Sequence, residues 1–248
     1  MFKKILSIFI GAFFIFNLTF TFNISAYCKE KKREDYLKNN FIICIDPGHQ
    51  GKGDPRCEAV SPNSNNMKPR VSSGTAGVAT KNPEHVINLE AALILKDLLI
   101  KKGYTVIMTR ESADVNISNI ERAQIANNAN ADFYISIHQN ASTTTSANGV
   151  EAYYCSVKPD SLNDITYKLN TSKAVAASIS SGIASALSMT NRGAKDDEFM
   201  VVKYTNMPAV LVECGFISNE SDAKKISNAT NQKKIASVIA DSIHNALK

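Results

Sequence analysis

Three apolar segments of this chain end in side chains that can bind a proton or a metal ion. Residues 43–49 end at His49, residues 136–141 contain His138, and residues 210–216 contain Glu213. In an open α/β sheet, ligands bind just beyond the carboxyl ends of the strands. Two histidines and a glutamate that meet there can hold one metal ion and one base. The sequence therefore predicts metal-assisted hydrolysis, and zinc suits this set of donors.

Either histidine alone is weak evidence, because a histidine after a turn is usually a surface or capping residue. Gly48 permits a sharp turn before His49, and Asp46 can steady the imidazole or the loop from behind. His138 ends its own apolar run, with Asn140 one step beyond it on the same side. Two histidines at strand ends in one α/β domain are a less frequent coincidence than one.

Glu213 is a charge inside an apolar segment, where carboxylates are rare unless they are paired or functional. An apolar setting raises the pKa of a carboxyl group, which suits a general base. The alternative is a structural salt bridge from Glu213 to a buried Arg122 or Arg192.

Glu84 stays open at this point. It lies in the first turn of a helix that we expect to begin at Asn82 and Pro83, and the helix dipole favours any carboxylate there. Its neighbour His85 points about 100° away around the helix. We therefore expect His85 at the surface or against a loop.

Strand and helix patterns alternate along the chain. This predicts a single α/β domain with a mostly parallel, twisted sheet and helices on both faces. Strands are predicted at residues 41–46, 104–109, 133–137, 149–154, 199–204 and 209–213, and helices at residues 82–102, 117–129, 171–188 and 232–247, with a short one after Asn219. Residues 191–193 are expected to terminate the third of the long helices. Residues 51–81 are rich in Gly, Pro, Ser and Asn, and we expect a loop without helix or strand.

The amino-terminal residues have the pattern of an export signal. Two lysines precede an apolar run, and small residues follow it, so residues 1–26 are predicted to be a signal peptide and residues 27–40 a charged linker before a catalytic domain at residues 41–248. An uncleaved membrane anchor is the alternative.

Without the signal's two lysines the net charge falls from +5 to +3, which is too little to indicate a nucleic-acid partner. The five cysteines have no C-x-x-C spacing, and they predict neither a disulfide framework nor a zinc knuckle.

Taken in order, the motifs resemble the zinc-dependent N-acetylmuramoyl-L-alanine amidases of the Amidase_3 family, which cleave peptidoglycan. The similarity extends from about Ile42 to the carboxyl terminus. The matching segments are residues 45–49, Glu84 with residues 88–89, residues 103–110, residues 121–123 with 126–127, residues 136–141, residues 149–151, residues 191–193 and residues 205–216. Gln50 stands where glycine is common, and residues 52–81 form a longer segment than in compact members of the family.

The resemblance implies that one Zn²⁺ is held by His49, Glu84 and His138, and that Glu213 is the catalytic base. It also implies hydrolysis of the amide between N-acetylmuramic acid and L-alanine. Asn140 is a candidate for orienting the substrate or the loop. A zinc peptidase acting on peptide cross-links, and a non-catalytic wall-binding or regulatory homologue, are the alternatives.

We expect an exported protein that acts outside the cell, in the cell wall or in the forespore intermembrane space, with peptidoglycan as its substrate. The sequence contains no recognisable wall-binding repeat, so a partner protein can supply targeting. Small sporulation and germination amidases share this architecture, which makes spore cortex an alternative substrate to the vegetative wall. Residues 51–81 are expected to wall one side of the cleft and to set substrate preference without touching the metal.

Overall fold

The computed structural model describes residues 41–60 and 65–248. The predicted signal peptide and charged linker lie outside the described residues. In chain order the elements are β1 Ile42–Pro47, β2 Asp54–Ala59, β3 Met67–Val71, α1 Glu84–Lys101, β4 Thr105–Met108, α2 Asn119–Asn128, β5 Phe133–Asn140, β6 Val150–Tyr154, α3 Thr166–Leu187, β7 Asn191–Asp196, α4 Met200–Lys203, β8 Ala209–Phe216, α5 Glu220–Ile226 and α6 Ala229–Ala246. Within these ranges no helix is both long and apolar enough to cross a bilayer.

Six strands form one sheet in the order β4-β1-β5-β8-β6-β7. The pairs β1–β4, β1–β5, β5–β8 and β6–β7 are parallel, and β6–β8 is antiparallel. The prediction of an α/β domain with a mostly parallel sheet is confirmed. The central strands β1, β5 and β8 all run in one direction, so their carboxyl ends reach the same edge of the sheet.

Alternate residues of the central strands enter two separate cores, as the two-residue period of a strand requires. Ile43 and Ile45 face a large core closed by α1, α3 and α6, whereas Cys44 faces a smaller core closed by α2 and α4. The same alternation recurs in β5 and β8, where Ile135 lies in the large core and Leu211 in the small one. The expected helices on both faces are therefore present.

The expectation that residues 51–81 contain no helix or strand is wrong. Strands β2 and β3 pair as an antiparallel hairpin. Arg70 binds Asp54 at 3.1 Å, Glu58 at 3.7 Å and, on helix α2, Glu121 at 2.8 Å. These ion pairs join residues far apart in sequence, so the local Gly, Pro and Ser content does not reveal them.

Three other local predictions are also wrong. Residues 200–203 form helix α4 instead of a strand, and the amides of Val202 and Lys203 donate to the carbonyl of Phe199. Residues 191–193 begin β7 instead of terminating the preceding helix, which ends at the left-handed Ser188 (φ 50°). Helix α1 begins one residue later than expected, since Pro83 holds the N-cap position and no side chain caps it.

Candidate metal centre and catalytic base

His49, Glu84 and His138 meet in one place although they lie far apart in the sequence. The Nε2 atom of His49 lies 3.1 Å from Oε1 of Glu84, and Nδ1 of His138 lies 3.3 Å from the same oxygen. One ligating atom from each residue lies within 4.8 Å of the others. The imidazole centroids are 4.7 Å apart, with planes at 78°. Two nitrogens and a carboxylate oxygen are a donor set that zinc prefers.

The turn after β1 places His49 above the end of β5. His49 has φ of 61°, a left-handed conformation that is uncommon for a residue with a side chain. Gly48 lies against the ring of His138, and a Cβ atom on it would fall 2.1 Å from Nε2 of that histidine. Glycine is therefore required between the strand and His49, because any side chain there would displace the second imidazole.

Residues 72–75 lie between His49 and Glu84 in the sequence and contact both side chains. The Nδ1 atom of His49 lies 3.1 Å from the carbonyl oxygen of Ser72, and Oε2 of Glu84 accepts the amide of Thr75 at 3.2 Å. Oγ of Ser72 lies 2.9 Å from the same Nδ1 atom, so two oxygens of Ser72 hold this edge of the imidazole while Nε2 faces the cluster. Residues 51–81 are predicted to wall one side of the cleft. Within them, Ser72 and Thr75 also orient two of the candidate ligands.

Asp46 steadies the loop from beneath, as the sequence suggested. Its carboxylate accepts hydrogen bonds from Thr109 and Arg122 at 2.6 Å, from Ser136 at 2.7 Å and from Tyr134 at 2.8 Å. The guanidinium of Arg122 also donates to the carbonyl oxygens of Pro47 and His49. A fully buried ion pair thus fixes the backbone that carries His49.

The local electrostatics favour a neutral His138 beside an ionised Glu84. Burial lowers the pKa of His138 below its ordinary value, which leaves the imidazole free to donate a lone pair. Burial by itself raises the pKa of Glu84, but hydrogen bonds from His138 and His49 outweigh it and hold that pKa well below the usual range. These are the protonation states that metal ligands need.

Glu213 pairs directly with His138 across strands β8 and β5. Burial raises the pKa of Glu213 well above its usual range, and the nearby charges of Glu84 and Glu151 raise it further. Its Oε2 atom is buried and has no hydrogen-bond partner among the described residues. The structural alternative of a salt bridge is wrong, because Arg122 binds Asp46 and Arg192 binds Glu151 instead.

The candidate metal centre and Glu213 open onto a cleft of about 380 Å³. His49, His138 and Glu213 line one part of it, Lys68 and Ser72 of the hairpin segment line a second, and residues 197–201 line a third. The cleft therefore joins the candidate metal centre to space for a substrate.

His85, expected at the surface or against a loop, is partly buried and accepts a hydrogen bond from Arg110 through its carbonyl oxygen.

Asn140 and Glu151 form a hydrogen bond of 2.9 Å beside the cleft. Glu151 is one functional candidate that sequence reasoning missed. It pairs with Glu213 across β6 and β8 and is buried, with 2% of its surface exposed. It shows the same signal as Glu213, since Gly149, Val150 and Ala152 surround it with non-polar residues. A charge inside an apolar strand could have identified both glutamates.

An open α/β sheet carries a His–Glu–His cluster that could hold a metal ion, with a buried carboxylate beside it, and this arrangement is typical of hydrolases. Residues 43–245 match the Amidase_3 family model, described as N-acetylmuramoyl-L-alanine amidase. The chain belongs to this family. The predicted family and enzyme class are thereby confirmed.

Relatives and solved structures agree with this assignment. The chain is 36% identical to the N-acetylmuramoyl-L-alanine amidase LytC of Bacillus subtilis, over 85% of this chain and 37% of LytC. It is 31% identical to the probable cell wall amidase LytH of Staphylococcus saprophyticus, over 89% of this chain and 63% of LytH. The chain thus spans between about a third and two thirds of these two relatives.

Among solved structures, an N-acetylmuramoyl-L-alanine amidase from Clostridium difficile 630 superposes with a TM-score of 0.65 at 31% identity, covering 84% of this chain and 96% of that one. The CwlD amidase of Clostridioides difficile, solved in complex with the GerS lipoprotein, gives 0.62 at 27% identity, covering 84% and 98%.

Proposed function

We propose that this protein hydrolyses the amide bond between N-acetylmuramic acid and L-alanine in peptidoglycan with the help of one zinc ion. The observation that carries the proposal is the convergence of His49, Glu84 and His138 within 4.8 Å, with Glu213 on the adjoining strand. Family membership supplies the class of bond.

The three residues fit a catalytic zinc ion. Their donor atoms already face one another, and three protein ligands leave a coordination position for water, as catalytic zinc sites require. When bound, zinc would supply Lewis acidity that lowers the pKa of water and polarises the scissile carbonyl. We assign His49, Glu84 and His138 as the residues that hold it.

We assign the proton transfers of the reaction to Glu213. Its Oε2 atom lacks a partner within the described residues and is therefore free to accept a proton from the attacking water. The same carboxyl can then pass that proton to the nitrogen of the departing L-alanine. No cation neutralises Glu213 in the described structure, which supports a proton-transfer role over a purely structural one.

We also propose that the protein acts outside the cytoplasm on wall peptidoglycan. The support is the signal-like sequence of residues 1–26, together with relatives named as cell wall amidases. CwlD was solved with a lipoprotein, and a partner protein that brings this chain to its substrate is consistent with that likeness. Digestion of purified vegetative wall and of spore cortex, compared side by side, would distinguish the two substrates.

The decisive experiment is product analysis after incubation with a defined muramyl peptide. We expect release of a free L-alanine amine and an intact lactyl carboxylate, loss of activity with a chelator, and recovery with Zn²⁺. Cleavage within the peptide instead would indicate a cross-link peptidase. Binding without any cleavage would indicate a non-catalytic homologue.

Substitution of the three assigned ligands tests the metal site itself. His49→Ala, Glu84→Ala and His138→Ala should each lose both bound zinc and activity, because two remaining ligands hold the metal far more weakly. Elemental analysis of the purified variants measures the zinc. A Glu84→Ala protein with stoichiometric zinc and normal turnover would contradict the assignment of Glu84.

A further inference from the structure

A second charged cluster lies beside Glu213, and we infer that it binds a carboxylate of the stem peptide. The cluster consists of Glu151, Arg192 and Lys195, and we call its two basic residues the cation pair. The inference rests on the proposed function and names a part of the substrate that the zinc chemistry itself does not touch.

The hydrogen-bonding capacity of Glu151 is already used by its neighbours. Its Oε1 atom accepts from Nε of Arg192 and, at 2.7 Å, from Nζ of Lys195. Its Oε2 atom accepts from Asn140 at 2.9 Å and from the hydroxyl of Tyr153. Two cations thus share one carboxylate, and one positive charge is left over.

The surplus charge is accessible to a ligand. The side chain of Glu151 is 3% exposed, whereas those of Arg192 and Lys195 are 38% and 39% exposed. The guanidinium of Arg192 lies over the ring of Phe216 at 5.1 Å, and Nζ of Lys195 lies 5.8 Å from the ring of Tyr153. The cluster therefore presents cations that are already oriented, which reduces the entropy lost on binding.

The cation pair lies at a distance from Glu213 that suits a stem peptide. Strand β8 carries Glu213, β6 carries Glu151 opposite it, and β7 carries Arg192 and Lys195 at the sheet edge. Two strand spacings amount to about 10 Å. Two extended residues span about 7 Å. Nζ of Lys195 lies 5.8 Å from the ring of Tyr153, and that ring lies 5.0 Å from the ring of Phe199, which lines the cleft. A carboxylate on the second residue from the scissile amide would thus arrive at the cation pair.

The other charged side chains of the cleft offer one competing position for a carboxylate. Glu198 lines the cleft but is ion-paired with Lys203, and Oδ1 of Asp197 accepts the amide of Glu198. Lys68 lines the cleft from β3, on the hairpin, and its amino group has no ion pair within the described ranges. Lys68 is therefore the competing cation, and its substitution tests whether the subsite lies on the hairpin instead.

The test compares two muramyl peptides that differ only on the second stem residue, which carries a carboxylate in one and a carboxamide in the other. For the wild-type protein we expect kcat/KM to be about tenfold higher with the carboxylate, the usual value of one charge-assisted hydrogen bond. Lys195→Gln and Arg192→Gln should each bring this ratio close to one, because the remaining cation is then consumed by Glu151. Lys195→Arg should retain the preference, and so should Lys68→Gln.

Other results would overturn the inference. Equal use of both peptides by the wild-type protein would do so while leaving the proposed function intact. An equal loss on both peptides in Lys195→Gln, with zinc retained, would indicate a structural role only. Loss of the preference in Lys68→Gln but not in Lys195→Gln would move the subsite to the hairpin. Cleavage of neither peptide would contradict the proposed function itself, and the inference with it.

Discussion

At the scale of single residues, the site depends on carboxylates held in different environments. Hydrogen bonds from two imidazoles keep Glu84 ionised, whereas Glu213 forms no ion pair within the described residues and is buried near two other acids. Asp46 is fully buried, but four donors surround it. The same functional group can thus act as a ligand, a base or a structural anchor, depending on its partners.

Glu213→Gln separates the base from the ligands. The amide preserves the shape of the side chain but does not accept a proton at neutral pH. We expect zinc to stay bound and kcat to fall by roughly two to four orders of magnitude, the usual contribution of general acid–base help. Metal content measured beside turnover checks this. Loss of zinc would make Glu213 a ligand, and full activity would make it structural.

Asp46→Asn tests the buried ion pair beneath the His49 loop. Burial alone raises the pKa of Asp46, but Arg122 and the hydrogen bonds from Thr109 and Ser136 outweigh it and hold that pKa below its ordinary value of 3.8. We expect the variant to lose about 3–5 kcal/mol of unfolding free energy at pH 7, since Arg122 is left buried and unpaired.

The pH dependence of that loss follows from the sign of the shift. The native state binds the Asp46 proton more weakly than the unfolded state does, so this stabilisation is complete above the unfolded pKa and declines as the pH falls below about 4. Urea unfolding of both proteins at pH 7 and at about pH 3 measures the difference. A gap that does not narrow in acid would show that the loss arises from packing, not from charge.

At the scale of elements, the hairpin β2–β3 and the residues after it have two separable roles. Ser72 and Thr75 contact the candidate ligands, whereas Lys68 lines the cleft and Arg70 ties the hairpin to α2. The pair Ala59–Met67 lies at the opposite end of the hairpin from the pair Asp54–Val71, which adjoins Ser72. Changes near Ala59 and Met67 should therefore leave the metal centre intact.

Shortening the hairpin between residues 58 and 70 should change substrate preference without removing zinc. The loss of Lys68 and of the wall that it belongs to alters the cleft, while the contacts of Ser72 with His49 and of Thr75 with Glu84 are retained. Ratios of kcat/KM across wall substrates, with zinc content as the control, measure the effect. An enzyme that treats every substrate as the parent does would show that this hairpin takes no part in recognition.

At the scale of the whole molecule, the interior of the large core and the cleft lie in different parts of the fold. The larger core lies under α1, α3 and α6, and the cleft opens on the face of β8 that carries Leu211 and Glu213. Ile179 of α3 is completely buried in the large core. Changes in that core should affect unfolding before they affect the site.

Ile179→Ala should therefore lower stability while sparing the site. We expect a loss of about 2–5 kcal/mol in unfolding free energy from lost burial and the cavity left behind, and about 0.5–1.5 kcal/mol for the matched Ile179→Val. Zinc content and turnover at a temperature where both variants are folded should match the parent. A large loss of zinc in the folded Ile179→Ala protein would show that the large core and the site are coupled.

Local sequence patterns were sufficient for the fold class and for three of the residues at the centre. Continuous apolar runs of strand length identified the central strands, and the polar residues that end them marked His49, His138 and Glu213, because strand ends are local features of a chain. Glu84 was different: its position in a first helical turn is favourable with or without a function, and only the family resemblance singled it out.

Only the tertiary structure decided which charges meet. The pairing of Asp46 with Arg122, of Arg192 and Lys195 with Glu151, and of Arg70 across the hairpin joins residues distant in sequence. Such pairs leave no local period for the sequence to display. Glu213 forms no ion pair within the described residues because Arg122 and Arg192 bind other carboxylates, and the sequence alone does not reveal those partners.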